Sequence, residues 1–182
     1  MPRNIEIKAR IASVEALLPL ASALAGGEAE LIEQDDSFFA VAHGRLKLRQ
    51  FAGGSAELIH YQRPDTGQAR ASDYVRVAVT EPAGLREALA RGCGLLGRVR
   101  KRRRLLLVER SGFATRIHLD RVEGLGDFME LEVVLREGQT DAAGATMAEE
   151  LMQALGLAAA ERIAGAYLDL LQCDQDPASS RA

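Results

Sequence analysis

Asn4-Ile5-Glu6-Ile7-Lys8, Arg45-Leu46-Lys47-Leu48-Arg49, Arg116-Ile117-His118-Leu119-Asp120 and Glu130-Leu131-Glu132-Val133 alternate polar with apolar residues. A period of two sends successive side chains to opposite faces of a strand. In a half-buried strand the apolar phase packs inward and the charges stay wet, which is the ordinary reading of any single segment. Four such segments favour a different arrangement. Strands closed into a barrel and covered outside by amphipathic helices would turn the apolar phase out and the charged phase in. The interior is then a polar tunnel lined by cations and carboxylates.

The rest of the chain supplies the elements such a barrel needs. Residues 3–11 read as a first strand, and Ser13 caps a helix to about Ala25 that Gly26-Gly27 ends. Strands follow near 35–42, 45–52, 56–63 and 73–79, divided by His43-Gly44, Gly53-Gly54 and a loop over 64–72. A helix over about 82–93 leads to strands near 98–109, 113–122 and 127–136, with Ser111-Gly112 and Glu123-Gly124-Leu125-Gly126 as turns. Residues 141–155 and 159–172 read as two amphipathic helices broken at Gly156. The order predicts an α+β fold: one domain over 1–172, a closed eight-stranded antiparallel β-barrel with helices packed on the outside. Residues 173–182 read as a polar tail that frays.

Composition removes several classes of function. A formal charge of −3 gives no field suited to sliding along nucleic acid, so any basic site is local. The stretch from Arg98 to Arg104 holds six basic residues in seven and alone would suggest an acidic partner or RNA. Both of its phases are basic, so half of it is surface charge on any reading. The two cysteines, Cys93 and Cys173, lack metal-ligand spacing, which argues against a disulfide framework and for a reducing compartment. The N-terminal residues carry no apolar signal region, and no apolar run reaches the roughly 18 residues of a membrane span. The expectation is a cytoplasmic chain with no membrane and no nucleic-acid partner, as monomer or homodimer.

Taking the inward phase from the charged segments gives Glu6, Lys8, Arg45, Lys47, Arg49, Arg63, Lys101, Arg103, Arg116, Asp120, Glu130 and Glu132. Each such charge would cost several kcal/mol to bury alone, so the tunnel must be wet or hold a ligand. Cations in excess of carboxylates point to a polyanion, and guanidinium forks match phosphate oxygens two at a time. The carboxylates would repel that polyanion unless a divalent cation stood between them. Mg²⁺ or Mn²⁺, liganded by one or two carboxylates plus phosphates, fits this mixture of charges.

These residues resemble those of the CYTH superfamily, the triphosphate tunnel metalloenzymes. The family's N-terminal Glu-x-Glu-x-Lys strand corresponds to Asn4-Ile5-Glu6-Ile7-Lys8, with Asn4 replacing the first Glu. Gly44 to Arg49, Leu58 to Arg63, Val99 to Arg103, Thr115 to Asp120, Glu130-Leu131-Glu132 and Ala166 to Leu171 are similar in order and spacing. The run from Leu119 to Phe128 resembles the class IV adenylyl cyclase branch.

The resemblance implies metal ligation by Glu6, Glu130 and Glu132, with Asp120 as a further ligand. It implies a phosphate grip by Lys8, Arg45, Lys47, Arg49, Arg63, Lys101, Arg103 and Arg116. Of these, Glu6, Lys8, Lys101, Arg103 and Arg116 are the expected catalytic set. The leading expectation is cyclisation of ATP to cyclic AMP and pyrophosphate. The alternatives are hydrolysis of inorganic triphosphate, thiamine triphosphate or a nucleotide, and a non-catalytic polyphosphate-binding module in which Asn4 marks lost chemistry. His118, on the inward phase, reads as a structural histidine rather than a base.

Overall fold

The computed structural model describes residues 3–62 and 70–175. In chain order it contains β1 (Arg3–Arg10), α1 (Val14–Ala25), β2 (Glu30–Phe39), β3 (Arg45–Phe51), β4 (Ala56–Gln62) and β5 (Arg70–Val79). There follow α2 (Pro82–Cys93), β6 (Leu95–Arg110), β7 (Phe113–Val122), β8 (Gly126–Leu135), α3 (Asp141–Ala154) and α4 (Tyr167–Gln175). The strands close in the order β1-β5-β4-β3-β2-β6-β7-β8, every neighbouring pair antiparallel. The α+β barrel expected from the alternation is the fold observed. No helix among the described residues is long and apolar enough to cross a membrane.

Alternation decides which face goes where. Ile5, Ile7 and Ala9 of β1 lie on the outer phase, buried with Ile117 and Leu119 of β7 and Met129, Leu131 and Val133 of β8. Val14 and Ala21 of α1 and Met147, Ala148, Leu151 and Met152 of α3 complete this core. Each fully buried Ile, Leu or Met contributes about 1.5–3 kcal/mol, so the helices stabilise a barrel whose apolar phase points outward. A smaller core places Leu85 and Leu89 of α2 against Phe39, Leu48 and Ala56. The start of α1 matches its sequence signal. Ser13 Oγ accepts from Ala16 N at 3.3 Å, and Asp127 Oδ2 on β8 accepts from Val14 N at 2.8 Å.

Boundaries differ from expectation in β2, β5, β6 and α4. β2 starts at Glu30, because its first five residues, Glu30 to Gln34, pair with Leu105 to Lys101 of β6, and β6 itself begins at Leu95. β5 starts at Arg70, where it meets Glu6 of β1. The helix expected over 159–172 begins only at Tyr167, because the backbone before it extends the sheet. Arg10 N donates to Glu161 O at 3.0 Å and Ile163 N to Lys8 O at 2.9 Å, with an Ala9–Arg162 bridge between them. Gly165 then turns the chain at φ 78°, and Asp169 Oδ2 accepts from Ala166 N at 2.7 Å. α4 runs through Cys173 to Gln175, and both cysteines are exposed free thiols. Arg63, the 64–69 part of the expected loop and the 176–182 part of the expected tail lie outside the described residues.

The start of α4 closes one end of the barrel. Tyr167 donates its hydroxyl to Asp120 at 3.0 Å and meets Phe128 edge-on at 5.0 Å between ring centres. Phe38, Val99, Val122, Ile163 and Leu168 pack around them. Asp120, fully buried, also accepts both arms of Arg103 at 2.7 and 2.6 Å. Burial raises the Asp120 carboxyl, but Arg103 and Lys101 outweigh it and hold the group below its ordinary value.

Two predictions follow from this packing. A Cβ on Gly144 of α3 would lie 2.7 Å from Leu135 Cδ2 and 2.8 Å from Ile5 Cγ1, whereas Gly84 of α2 faces open space. Urea unfolding should show Gly144→Ala less stable by about 1–3 kcal/mol and Gly84→Ala more stable by up to about 1 kcal/mol. Asp120→Asn should cost about 3–5 kcal/mol at pH 7, the expected effect of breaking a buried ion pair. Because the folded carboxyl sits below its unfolded value of about 3.9, its contribution is complete above that pH and is lost as pH falls. The variant's stability should therefore decline less steeply than the wild type's below about pH 4.

Candidate functional site

The inward phase lines a cavity of about 150 Å³. On one wall β1 and β8 lie side by side, with Glu6 directly across from Glu132 and Lys8 across from Glu130. β7 adds Arg116 opposite Glu132, and the buried His118 stands opposite Glu130 without itself lining the cavity. The facing wall carries Asp36 of β2, Lys47 and Arg49 of β3, and Lys101 and Arg103 of β6. Glu57 and Tyr61 of β4 and Tyr74 and Arg76 of β5 complete the circuit, with Tyr167 at the closed end. Among the described residues seven cationic and five carboxylate side chains line this space, which gives them an excess of positive charge.

Local pairing holds the cationic wall in place. Asp36 accepts from Arg49 Nε and Nη2 at 2.7 Å each and from Lys47 Nζ at 3.0 Å. Burial raises Asp36, yet Arg49 and Lys47 bring it far below the usual carboxylate range. Burial, followed by the charge of Arg49, lowers Lys47 to about 7 against the pull of Asp36. Lys101 is lowered in the same way by burial and Arg103. A cluster of cations that depress one another's ionisation is stabilised by any anion that enters among them.

The acidic wall has a different balance. Arg103 Nη2 donates to Glu130 Oε2 at 3.0 Å, and Arg116 Nη1 donates to Glu132 Oε2 at 2.9 Å. Lys8 Nζ lies 3.7 Å from Glu130 Oε1, donates to Gly165 O at 3.3 Å and sits 4.1 Å above the Tyr167 ring. Burial raises Glu130, but Lys8, His118 and Arg103 leave it well below its ordinary value. Glu132 is also lowered, His118 being the leading cause against burial. His118 itself is lowered by burial and then by Arg103, which keeps its ring neutral at pH 7. Directly opposed carboxylates such as Glu6 and Glu132 repel one another unless a cation is near. His118, Glu130 and Glu132 bring one ligand atom each within 4.8 Å of the others, so the donor set fits a divalent cation.

Nine of the expected site residues face this one cavity: Glu6, Lys8, Lys47, Arg49, Lys101, Arg103, Arg116, Glu130 and Glu132. Arg45 does not line it. Its guanidinium bonds Asp169 of α4 at 2.8 Å, beside a separate depression. Asp120 lies beneath the cavity wall, between Arg103 and Tyr167. Arg98, Arg100 and Arg102 face outward to Asp35, Glu123 and Glu33. Asp36, Glu57 and Tyr167 are cavity residues that the sequence reading did not select. The alternation Gln34, Asp36, Phe38 could have found Asp36, but the adjacent acid Asp35 obscures the phase.

Comparisons with known proteins bear on the fold. PH1012 from Pyrococcus horikoshii OT3 matches with a TM-score of 0.77 at 23% identity, covering 92% of this chain and 99% of its own. A Vibrio parahaemolyticus protein described as a proposed adenylate cyclase matches with a TM-score of 0.72 at 20% identity, over 93% of this chain and 97% of its own. HpAC1 from Hippeastrum, a proposed adenylyl cyclase described as having a dominant triphosphatase activity, matches with a TM-score of 0.67 at 14% identity, over 96% of both chains. No curated protein sequence matches. The CYTH domain profile matches residues 2–167, which take in all eight strands, and the chain therefore belongs to the CYTH domain family.

Proposed function

We propose that this protein is a divalent-metal-dependent phosphohydrolase that holds a triphosphate inside the barrel and cleaves its terminal phosphoryl group. One observation carries the reading: a cationic wall and an acidic wall face each other across a cavity of about 150 Å³. That volume is below the roughly 300–1,000 Å³ of sites that enclose drug-sized ligands, and it suits a phosphate chain better than a whole nucleotide.

Lys47, Arg49, Lys101 and Arg103 on one side, with Lys8 and Arg116 on the other, would bind the phosphate oxygens. These fixed cations act by position and by stabilising charge that develops on the oxygens. Glu130 and Glu132, with Glu6 beside them, would hold Mg²⁺ or Mn²⁺. A cation bound there supplies charge neutralisation between carboxylates and phosphates and lowers the pKa of a bound water. Tyr167 and Gly165, closing one end, would fix how far the chain enters and exclude bulk water from that side. Lys47, lowered to about 7 by burial and Arg49, would be drawn back to its charged form by a bound phosphate chain, so binding the anion would be accompanied by proton uptake near neutral pH.

The second reading is adenylyl cyclisation, in which the ribose 3′-hydroxyl of ATP attacks the α-phosphorus and pyrophosphate leaves. It draws support from Tyr61 and Tyr74, opposed across β4 and β5 and both lining the cavity, which offer ring faces to a base.

Purified protein should be given inorganic triphosphate, thiamine triphosphate and ATP, each with Mg²⁺ or Mn²⁺ and each repeated with chelator. Orthophosphate released without cyclic AMP, and lost with chelator, is the expected result. Cyclic AMP with pyrophosphate would replace it by the cyclase reading, and tight binding without turnover would leave a binding module. Glu132→Gln should reduce metal-dependent turnover by about 100-fold or more, in line with loss of a group that acts in the transition state. Arg102→Gln, on the outer face, should leave turnover within about twofold because exposed ion pairs contribute little. Equal losses in the two variants, with both folded by circular dichroism, would show the inward phase to be assigned wrongly.

A further inference from the structure

Among the described residues of the acidic wall, Asn4 and His118 each bury a polar atom that hydrogen bonding does not explain, and His118 is the one that two carboxylates face. It is 3% exposed, and its Nδ1 has no hydrogen-bond partner. Nδ1 lies 3.8 Å from Glu130 Oε2 and 3.7 Å from Glu132 Oε1, beyond the range of a hydrogen bond to either. Burying an unpaired ring nitrogen is unfavourable, so its direction toward two carboxylates calls for a third participant.

The separations fit a shared cation. Two donors each about 2.1 Å from one ion stand roughly 3.0 Å apart at a right angle and about 4.2 Å apart when opposite. Both observed distances fall in that interval. The neighbours leave room for this role: Arg116 engages Glu132 through Oε2, so Oε1 is the oxygen turned to His118. Arg103 donates to Glu130 Oε2, and a carboxylate oxygen has two lone-pair sites, so the same oxygen can also ligate. Pairing of β7 with β8 sets His118 directly across from Glu130, so the three donors are held by sheet register rather than by a loop.

We propose that His118 Nδ1 is a direct ligand of the cation held by Glu130 and Glu132, and that this nitrogen makes the site prefer a transition-metal dication over Mg²⁺. The inference rests on the metal-and-triphosphate reading above and specifies the metal class for that site. Mg²⁺ takes oxygen donors, whereas first-row transition metals accept imidazole. A mixed set of one nitrogen and two carboxylates therefore discriminates between them.

Pulsed electron paramagnetic resonance of the wild-type protein with Mn²⁺, alone and with inorganic triphosphate, tests this without measuring turnover. A directly bound nitrogen gives a ¹⁴N coupling, which should become a ¹⁵N coupling when the three histidines are ¹⁵N-labelled. His118→Asn should abolish the coupling and weaken Mn²⁺ binding by about tenfold or more, with Mg²⁺ binding changed far less. The labelled wild-type measurement decides the matter even if the variant folds poorly. Mn²⁺ bound through oxygen alone would overturn this inference while leaving the triphosphate reading intact. Absence of divalent-cation binding under both conditions would overturn both.

Discussion

Charges turned into a closed barrel must be neutralised inside it, and the rest of the molecule is arranged around that constraint. A barrel has no sheet edge, so a strand whose phases are charged and apolar has only two places to send them. The outer helices claim the apolar phase, which leaves Glu6, Lys8, Lys47, Arg49, Lys101, Arg103, Arg116, Glu130 and Glu132 within. Opposite charges then meet where register permits. Asp36 takes Lys47 and Arg49, Asp120 and Glu130 share Arg103, and Glu132 takes Arg116. These contacts hold the side chains in position, yet the lining keeps more cations than carboxylates. The same arrangement that makes the interior tolerable thus leaves it with the surplus positive charge that an anion would neutralise.

Closure of one end links the site to the fold. Arg103, Asp120 and Tyr167 form one hydrogen-bonded chain from β6 through β7 to α4, and Lys8 lies over the same tyrosine ring. The segment before α4 reaches this position by pairing with β1 beyond the last residue that β5 covers. A region that reads as helix by its apolar spacing is consequently spent as an added strand partner and an end wall. Its conformation follows from its pairing with β1, which is a tertiary feature.

Legibility in the sequence divides along the same line. The alternation of β1, β3, β7 and β8 showed both the barrel and the direction of its charges, because period two is a local property. The signals for Ser13, Gly26 and the glycine turns were likewise local. The beginning of β2 was not legible, since Glu30 to Gln34 are held by pairing with Leu105 to Lys101 of β6, about 70 residues away in the chain. Asp120 was selected by its place in a motif, but its burial between Arg103 and Tyr167 depends on α4 folding over the barrel end. Arg45 shows the same effect: it has the inward phase of Lys47 and Arg49, yet it lies one pair nearer the closed end, where Asp169 reaches it. Phase can be read along a strand, whereas depth along the barrel axis depends on what closes the ends.

Asn4 brings these strands of argument together. It lines the cavity on the phase of Glu6 and Lys8, is 4% exposed, and has no hydrogen-bond partner for its Oδ1. A carboxylate there would add a further negative charge on the phase of Glu6, one step from the Glu6–Glu132 opposition. The amide keeps an oxygen donor without that charge. The acidic wall is therefore concentrated at Glu130 and Glu132, with Glu6 across from the latter, and a neutral oxygen and a neutral imidazole stand on either side of it. A wall so composed would balance a single dication with little surplus negative charge, and it repels an incoming polyanion less than an all-carboxylate wall would.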